Sequence, residues 1–237
     1  TLAELREQGF AAFYVAIGCQ GGRLAGVPGE DAAGVSVAVD FLRGVAEAQL
    51  EGGEVPAVGR RVVVVGGGNV AIDVARTAAR LGAESVDMLC LEARDIMPAS
   101  NEEVAEAESD GVRLSCGWGP AEVLVSGGRA AGVRFKRCTR VFDEDGRFSP
   151  EYDETDTIDV AADQVVFSIG QSIEWGSLLA GSAVELGRGQ GAVADPKTYQ
   201  TAQPDIFVGG DVYTGPKFAI DAIAAGHEAA VSIHRFV

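Results

Sequence analysis

The residues with the clearest chemical meaning in this chain are glycines. Residues 62–71 read Val-Val-Val-Val-Gly-Gly-Gly-Asn-Val-Ala. The unbroken apolar run from Val62 to Val65 is what a strand covered on both faces of a parallel sheet requires. Gly66 permits a tight turn at the end of that strand. Gly68, lacking a Cβ, lets the backbone come close to a pyrophosphate. Ala71 takes the third position of G-x-G-x-x-(G/A), where a small residue lets helix and strand pack closely. A helix predicted over Asn69 to Leu81 aims unpaired N–H groups and a positive dipole end at the phosphates. Ala71, Val74, Ala75, Ala78 and Leu81 recur at helical spacing, and Gly82 supplies the stop. A glycine triplet alone would suit any flexible corner. Here strand, small third residue, helix, stop and following strand occur in order, so Gly66, Gly67, Gly68, Asn69, Val70 and Ala71 are assigned to dinucleotide binding.

The next strand is expected from Ser85 to Leu91 and ends at Glu92. An acidic residue roughly twenty positions beyond the glycines can accept hydrogen bonds from an adenosine ribose. A carboxylate there repels a 2′-phosphate, which favours NADH, with NADPH the weaker expectation. Arg94 stands close by and offers the opposite preference. A second signature is Ile206-Phe-Val-Gly-Gly-Asp211: a strand, then glycines that allow close backbone approach, then an acid able to accept from a ribityl hydroxyl. The helix predicted from Phe218 to His234 begins with amides around Ala219 and Ile220. Those amides could meet the electron-accepting edge of a flavin and stabilise its reduced charge. Gly210, Asp211, Ala219 and Ile220 therefore join the cofactor-binding set. So do Ile169 and Gly170, which close the strand Gln164 to Ile169 in the way that Ile17 and Gly18 close Ala11 to Ile17.

Composition narrows the function classes. The chain has 237 residues, 47% of them hydrophobic, enough for one large domain or two small ones. Its net charge of −16 has the wrong sign for a phosphate backbone, so no nucleic-acid partner is expected. No apolar run approaches the ~18 residues of a membrane span, and no membrane partner is expected. Cys19, Cys90, Cys116 and Cys138 are widely spaced, without a C-x-x-C pair, which fits a reducing, cytoplasmic location. Cys90 reads as a small hydrophobe inside a strand. His227 and His234 have no partner at metal-ligand spacing, so no metal site is expected. Trp118 and Trp175 lie near glycines and could border a nucleotide, with hydrophobic packing the preferred reading, and Lys217, after Gly-Pro, could contact flavin or phosphate. No Ser-His-Asp or Cys-His arrangement is discernible, and no catalytic side chain is named.

Around these motifs the pattern is α/β. Helices are expected at Thr1 to Gln8, Val35 to Leu50 and Asn101 to Ser109. Strands are expected at Val112 to Cys116, Pro120 to Val125 and Ala130 to Cys138, the last two as a hairpin around Ser126-Gly-Gly128. Val141 to Thr157 reads as an acidic surface loop with a turn at Asp145-Gly146. The sheet around Val62–Val65 should be parallel with helices on both faces, in a three-layer fold with an added β-meander.

Several of these segments carry a resemblance. Phe13-Tyr-Val-Ala-Ile-Gly18, Val63-Val-Val-Gly-Gly-Gly-Asn69, Ala75-Arg-Thr-Ala-Ala-Arg-Leu-Gly82, Met97-Pro-Ala99 and Val208-Gly-Gly-Asp211 with Gly215-Pro216 resemble the FAD-dependent pyridine nucleotide–disulfide oxidoreductases. The nearest branch is similar to the small (β) subunit of glutamate synthase. The resemblance implies a Rossmann-like NAD(P)H-binding domain, residues 29–170, inserted into a partial FAD domain made of residues 1–28 and 171–237. It also implies passage of a hydride from nicotinamide to FAD and onward to a downstream acceptor. Where glutamate synthase small subunits carry paired arginines for NADPH, this chain has Leu91-Glu92. The first FAD glycine loop of the family is missing here, together with its frequent iron–sulfur cysteines. The chain is therefore expected to be a fragment or a split subunit that needs a partner subunit or the missing N-terminal part. Two other readings stand beside this one: a non-catalytic nucleotide-binding or interaction subunit, and a flavin-free Rossmann NAD enzyme.

Overall fold

The computed structural model describes residues 1–237. In chain order the helices are α1 (Leu2–Glu7), α2 (Ala38–Glu51), α3 (Asn69–Arg80), α4 (Asn101–Ser109), α5 (Asp211–Thr214) and α6 (Ala219–Phe236). The strands are β1 (Phe13–Val15), β2 (Gly21–Gly22), β3 (Val35–Val37), β4 (Arg61–Val65), β5 (Ser85–Cys90), β6 (Arg113–Cys116), β7 (Trp118–Ser126), β8 (Arg129–Phe142), β9 (Phe148–Ala161), β10 (Gln164–Phe167), β11 (Gln171–Ser172) and β12 (Ile206–Val208). The chain divides into two compact units. One is Gly22–Gly170; the other combines Thr1–Gly21 with Gln171–Val237.

The unit Gly22–Gly170 is built on a five-stranded sheet in the order β3-β10-β4-β5-β6, with every pairing parallel. Its centre is β4, whose Val62 to Val65 are at most 2% exposed. Alternate valines serve opposite faces. Val62 and Val64 pack with α2, α3 and α4 through Phe41, Ile72, Val74, Ala78 and Val104. Val63 and Val65 pack with β7 to β10 through Trp118, Val133, Phe135 and Phe167. Helices therefore cover one face only. The other lies against the three-stranded antiparallel sheet β7-β8-β9, which replaces the second helical layer expected from the sequence.

Local chemistry explains most boundaries. α3 ends in a Schellman turn: Gly82 N–H donates to Ala79 O and Ala83 N–H to Ala78 O, with Gly82 at φ +96°. Ser126 pairs with Arg129 across Gly127 and Gly128, whose φ values of +58° and +77° make the two-residue turn that a right-twisted hairpin favours.

Three expectations are corrected. Val35–Val37 form a strand rather than the start of α2, because they pair in parallel with Val165–Phe167 and the helix begins at Ala38. Val141 to Thr157 is not a surface loop. The predicted turn is present, with Gly146 N–H donating to Asp143 O, but β8 runs on to Phe142 and β9 returns beside it. The polar residues of β9 are matched by cationic neighbours on β8: Arg134 with Asp159, Lys136 with Glu154, Arg137 with Asp156 and Arg140 with Glu151. Opposite charges facing each other stabilise a strand that has little apolar surface of its own. Residues 22–28 also belong to this unit rather than to the first flanking segment. Pro28 O accepts from Val123 N, and Val27 packs on the same core as Phe135.

The flanking unit pairs β1 with β12 in parallel over a core of Leu2, Phe13, Val15, Ile206, Val208 and Val212. α1 is held by a capping box between Thr1 and Glu4, and Arg6 grips Asp205 with two hydrogen bonds of 2.6 and 3.1 Å. No helix is long and apolar enough to cross a membrane.

Two predictions follow from the packing and the ion pairs. Phe135 is fully buried between sheet and meander, so Phe135→Ala is expected to cost about 3–5 kcal/mol in urea unfolding of the chain. Arg76 and Arg80 hold the Asp110 carboxyl below the ordinary aspartate value, chiefly through the Arg76 hydrogen bond. A depressed carboxylate binds fewer protons folded than unfolded, so its contribution is present above about pH 4 and lost as pH falls into the depressed range. Asp110→Asn is expected to flatten the acid limb of the unfolding midpoint plotted between neutral pH and pH 3.

Candidate functional site

A cavity of about 660 Å³ opens at the C-terminal ends of the central strands of the Gly22–Gly170 unit. That is where ligands bind in open parallel sheets. The parallel sheet contributes Gly66–Gly68 after β4, Leu91 and Glu92 after β5, and Ser168–Gly170 after β10. Six of the residues singled out from the sequence, Gly66, Gly67, Gly68, Glu92, Ile169 and Gly170, therefore meet in one place.

The three glycines differ in what surrounds them. Gly66 has φ +147°, and a Cβ there would overlap the carbonyl oxygen of Ser168 on the neighbouring strand end. A Cβ on Gly67 would lie 2.8 Å from Glu92 Oε2 and 2.9 Å from Cys90 Cβ. Gly68 differs: a Cβ there would meet nothing within 4 Å, and its φ of −95° suits any residue. The protein thus leaves open space over Gly68, the N-cap of α3, which no side chain caps. The first N–H groups of a helix have no intrahelical partner, so this end attracts an anion.

Asn69, Val70 and Ala71 sit in the first turn of α3 and do not line the cavity. Asn69 Oδ1 accepts from Ser100 N–H at 3.0 Å, tying the helix start to the loop before α4. Ala71 is fully buried and Val70 packs against the same core. Ala71 N–H is already donated to Gly68 O. Ala71 therefore shapes the turn through its small size.

The meander supplies a wall of which the sequence singled out Trp118 alone. Trp118 and Pro120 of β7, Lys136 of β8, and Phe148, Pro150 and Tyr152 of β9 all line the cavity. Phe148, Pro150 and Tyr152 alternate at every second position, a period-two signal that places them on one strand face. Lys136 Nζ donates to Glu154 Oε1 at 2.8 Å and lies 4.3 Å over the Tyr152 ring. Burial pushes the Tyr152 hydroxyl above its ordinary value, so it stays protonated. Arg137 stacks 3.7 Å over Trp118, which is buried as expected of a packing residue.

Other candidates resolve plainly. Arg94 is tied to Glu108 by hydrogen bonds of 2.6 and 2.9 Å. Burial pushes the Cys90 thiol well up, with Cys116 beside it adding to the effect, so it is a protonated packing residue rather than a nucleophile. None of the four cysteines is in a disulfide, and no group of three His, Cys, Asp or Glu side chains is arranged to hold a metal.

The remaining predicted residues lie in the flanking unit. A Cβ on Gly209 would overlap the Tyr14 hydroxyl, and Gly210 has φ +65°. Asp211 Oδ1 accepts from Lys217 N–H at 3.3 Å. Ala219 and Ile220 are exposed in the first turn of α6, which also lacks a side-chain cap. Trp175 Nε1 donates to Gln190 O at 2.8 Å, a structural role. His227 and His234 lie on α6.

A family model described as pyridine nucleotide-disulphide oxidoreductase matches residues 3–226. The β subunit of the NADP(+)-dependent formate dehydrogenase of Moorella thermoacetica is 34% identical over 98% of this chain and 32% of its own length. The small chain of the NADPH glutamate synthase of Escherichia coli is 34% identical over 94% of this chain and 50% of its own. The chain thus spans a third to a half of these curated relatives. Among solved structures, Mycobacterium tuberculosis FprA in complex with NADPH superposes with a TM-score of 0.76 at 18% identity, over all of this chain and 65% of FprA, a likeness of fold. The chain belongs to the pyridine nucleotide–disulphide oxidoreductase family, in the branch similar to the glutamate synthase small chain.

Proposed function

We propose that this chain is the nicotinamide-nucleotide-binding part of a flavin-dependent oxidoreductase. In this reading it binds NADH or NADPH and delivers a hydride towards FAD and a further acceptor. The observation that carries the reading is the contrast within the glycine triplet. Gly66 and Gly67 are glycines because protein atoms leave no room for a Cβ, whereas the space over Gly68 belongs to no protein atom. A glycine that the protein does not need, at the uncapped start of a helix and on the rim of a cavity of about 660 Å³, fits a bound pyrophosphate.

The roles of the residues follow from their positions. Gly68 and the first amides of α3 receive the pyrophosphate. Glu92 accepts from the adenosine ribose and disfavours a 2′-phosphate through like-charge repulsion. Ile169 and Gly170 also line the cavity, where an exposed Ile169 offers an apolar surface to the nicotinamide. In the flanking unit, Gly210, Asp211, Ala219 and Ile220 suit one edge of FAD. Asp211 would accept from a ribityl hydroxyl, and the free first turn of α6 would stabilise negative charge on the ring. FAD, when bound, supplies an acceptor for an electron pair that can be released singly or in pairs. Relatives of this chain are named for NADP and for NAD alike, so the NADH preference rests on Glu92.

Two substitutions test the reading by nucleotide titration monitored through protein-to-nicotinamide fluorescence transfer. Gly68→Leu fills space that only a ligand would use. It is expected to weaken NADH at least about tenfold while changing unfolding free energy by no more than about 1 kcal/mol. Unchanged affinity would retire the pyrophosphate site. Glu92→Arg is expected to shift the ratio of NADH to NADPH dissociation constants about tenfold in favour of NADPH. An unchanged ratio would remove Glu92 as the selector.

A further inference from the structure

Among the side chains lining the cavity there is one carboxylate, Glu92, and one ammonium, Lys136. Any dinucleotide entering it brings a doubly charged pyrophosphate, and NADPH brings a further phosphate on the ribose. Beside the Glu92 corner the guanidinium groups are committed elsewhere, Arg94 to Glu108 and Arg137 to Asp156 and the Trp118 ring, while the exposed Arg23 lies on the Gly170 side, where a Cβ on that glycine would come 3.6 Å from Arg23 Cδ. Lys136 also stands beside the ribose-selecting corner. Its cross-strand partner is Gly119, where a Cβ would lie 2.5 Å from Tyr152 Cε1 and 2.7 Å from Leu91 Cδ2. Gly117 N–H donates to Glu92 O at 3.0 Å, fastening the same corner to the edge of the meander. Lys136 is therefore one strand away from Leu91-Glu92.

Resting on the reading that the cavity binds a nicotinamide dinucleotide, we propose that Lys136 is the charge partner of the 2′-phosphate of NADPH. Discrimination between NADPH and NADH is then the balance between Glu92, which repels that phosphate, and Lys136, which attracts it. The counter-charge comes from the meander and not from the residues that follow β5.

The present partner of Lys136 can be exchanged. Glu154 is a side chain 71% exposed, whereas Lys136 is 21% exposed. An ion pair with one arm in water contributes little, because solvent screens it and both side chains give up rotamer freedom. A phosphate with more than one negative charge is a stronger partner for an ammonium than a single screened carboxylate. The Tyr152 ring beneath the ammonium, at 4.3 Å, holds the stem in place whichever anion it faces. A long, flexible lysine suits this exchange better than an arginine locked in a planar fork.

The test is titration of the whole chain with NADPH and with NADH, read as the ratio of the two dissociation constants. Lys136→Met is expected to raise the NADPH-to-NADH ratio about tenfold, and Lys136→Arg to keep it within about threefold of wild type. Glu154→Gln, which releases Lys136 from its carboxylate, is expected to lower the ratio. Added salt should raise the ratio more, or lower it less, in wild type than in Lys136→Met, because both proteins keep the Glu92 repulsion and only wild type has an attraction to screen. An unchanged ratio in Lys136→Met, or equal weakening of both nucleotides, overturns the proposal. Should Lys136→Met fail to fold, an unchanged ratio in Glu154→Gln overturns it instead. If wild type binds neither nucleotide, the dinucleotide reading itself falls. That result is distinct from tight NADH binding with a ratio insensitive to Lys136.

Discussion

A parallel sheet with no wet face governs the Gly22–Gly170 unit. Val62 to Val65 are inaccessible on both sides, so the sheet must be covered twice. The helices cover one side. The meander covers the other, and in doing so it brings Trp118, Lys136 and Tyr152 to the end of the sheet where Gly66–Gly68 turn into α3. The cavity is thus a by-product of burying the valines of β4: its floor is the strand ends and its wall is the cover. The close approach of Gly66 to Ser168 O joins β4 to β10 at this same level and keeps the glycine turn tight.

Electrostatics is arranged locally against the overall sign. A chain with a net charge of −16 presents a repulsive field to an anionic ligand. Within the cavity that field is opposed by backbone rather than by a cluster of cations. The uncapped start of α3 offers N–H groups, and Lys136 is the single ammonium among the lining side chains. Most arginines of this unit are occupied in holding the fold. They pair with acids between neighbouring elements, as Arg113 does with Asp87, Arg134 with Asp159 and Arg76 with Asp110 and Glu106. This division leaves the uncapped start of α3 open to an anion in a strongly acidic chain that has no basic patch in the cavity.

Elements whose periodicity and punctuation are local can be read directly from the residues. β4 was legible from four valines, α3 from its small residues at helical spacing and from Gly82, and the β7–β8 hairpin from Gly127-Gly128. Glu92 was legible as a strand-end acid near the glycines. Each of these depends on residues within one or two turns, where hydrophobic period and φ preference act directly. The remaining features depend on partners distant in the chain. Val35–Val37 read as helix by spacing but are drawn into a strand by Val165–Phe167. β9 read as a polar loop because its neighbours on β8, Arg134 to Arg140, supply the charges that make its acidic face stable. The meander wall of the cavity, and with it Lys136 and Tyr152, was invisible for the same reason. A strand stabilised by cross-strand charge pairs has no apolar alternation of its own, and those pairs exist only once the register has brought the two strands together.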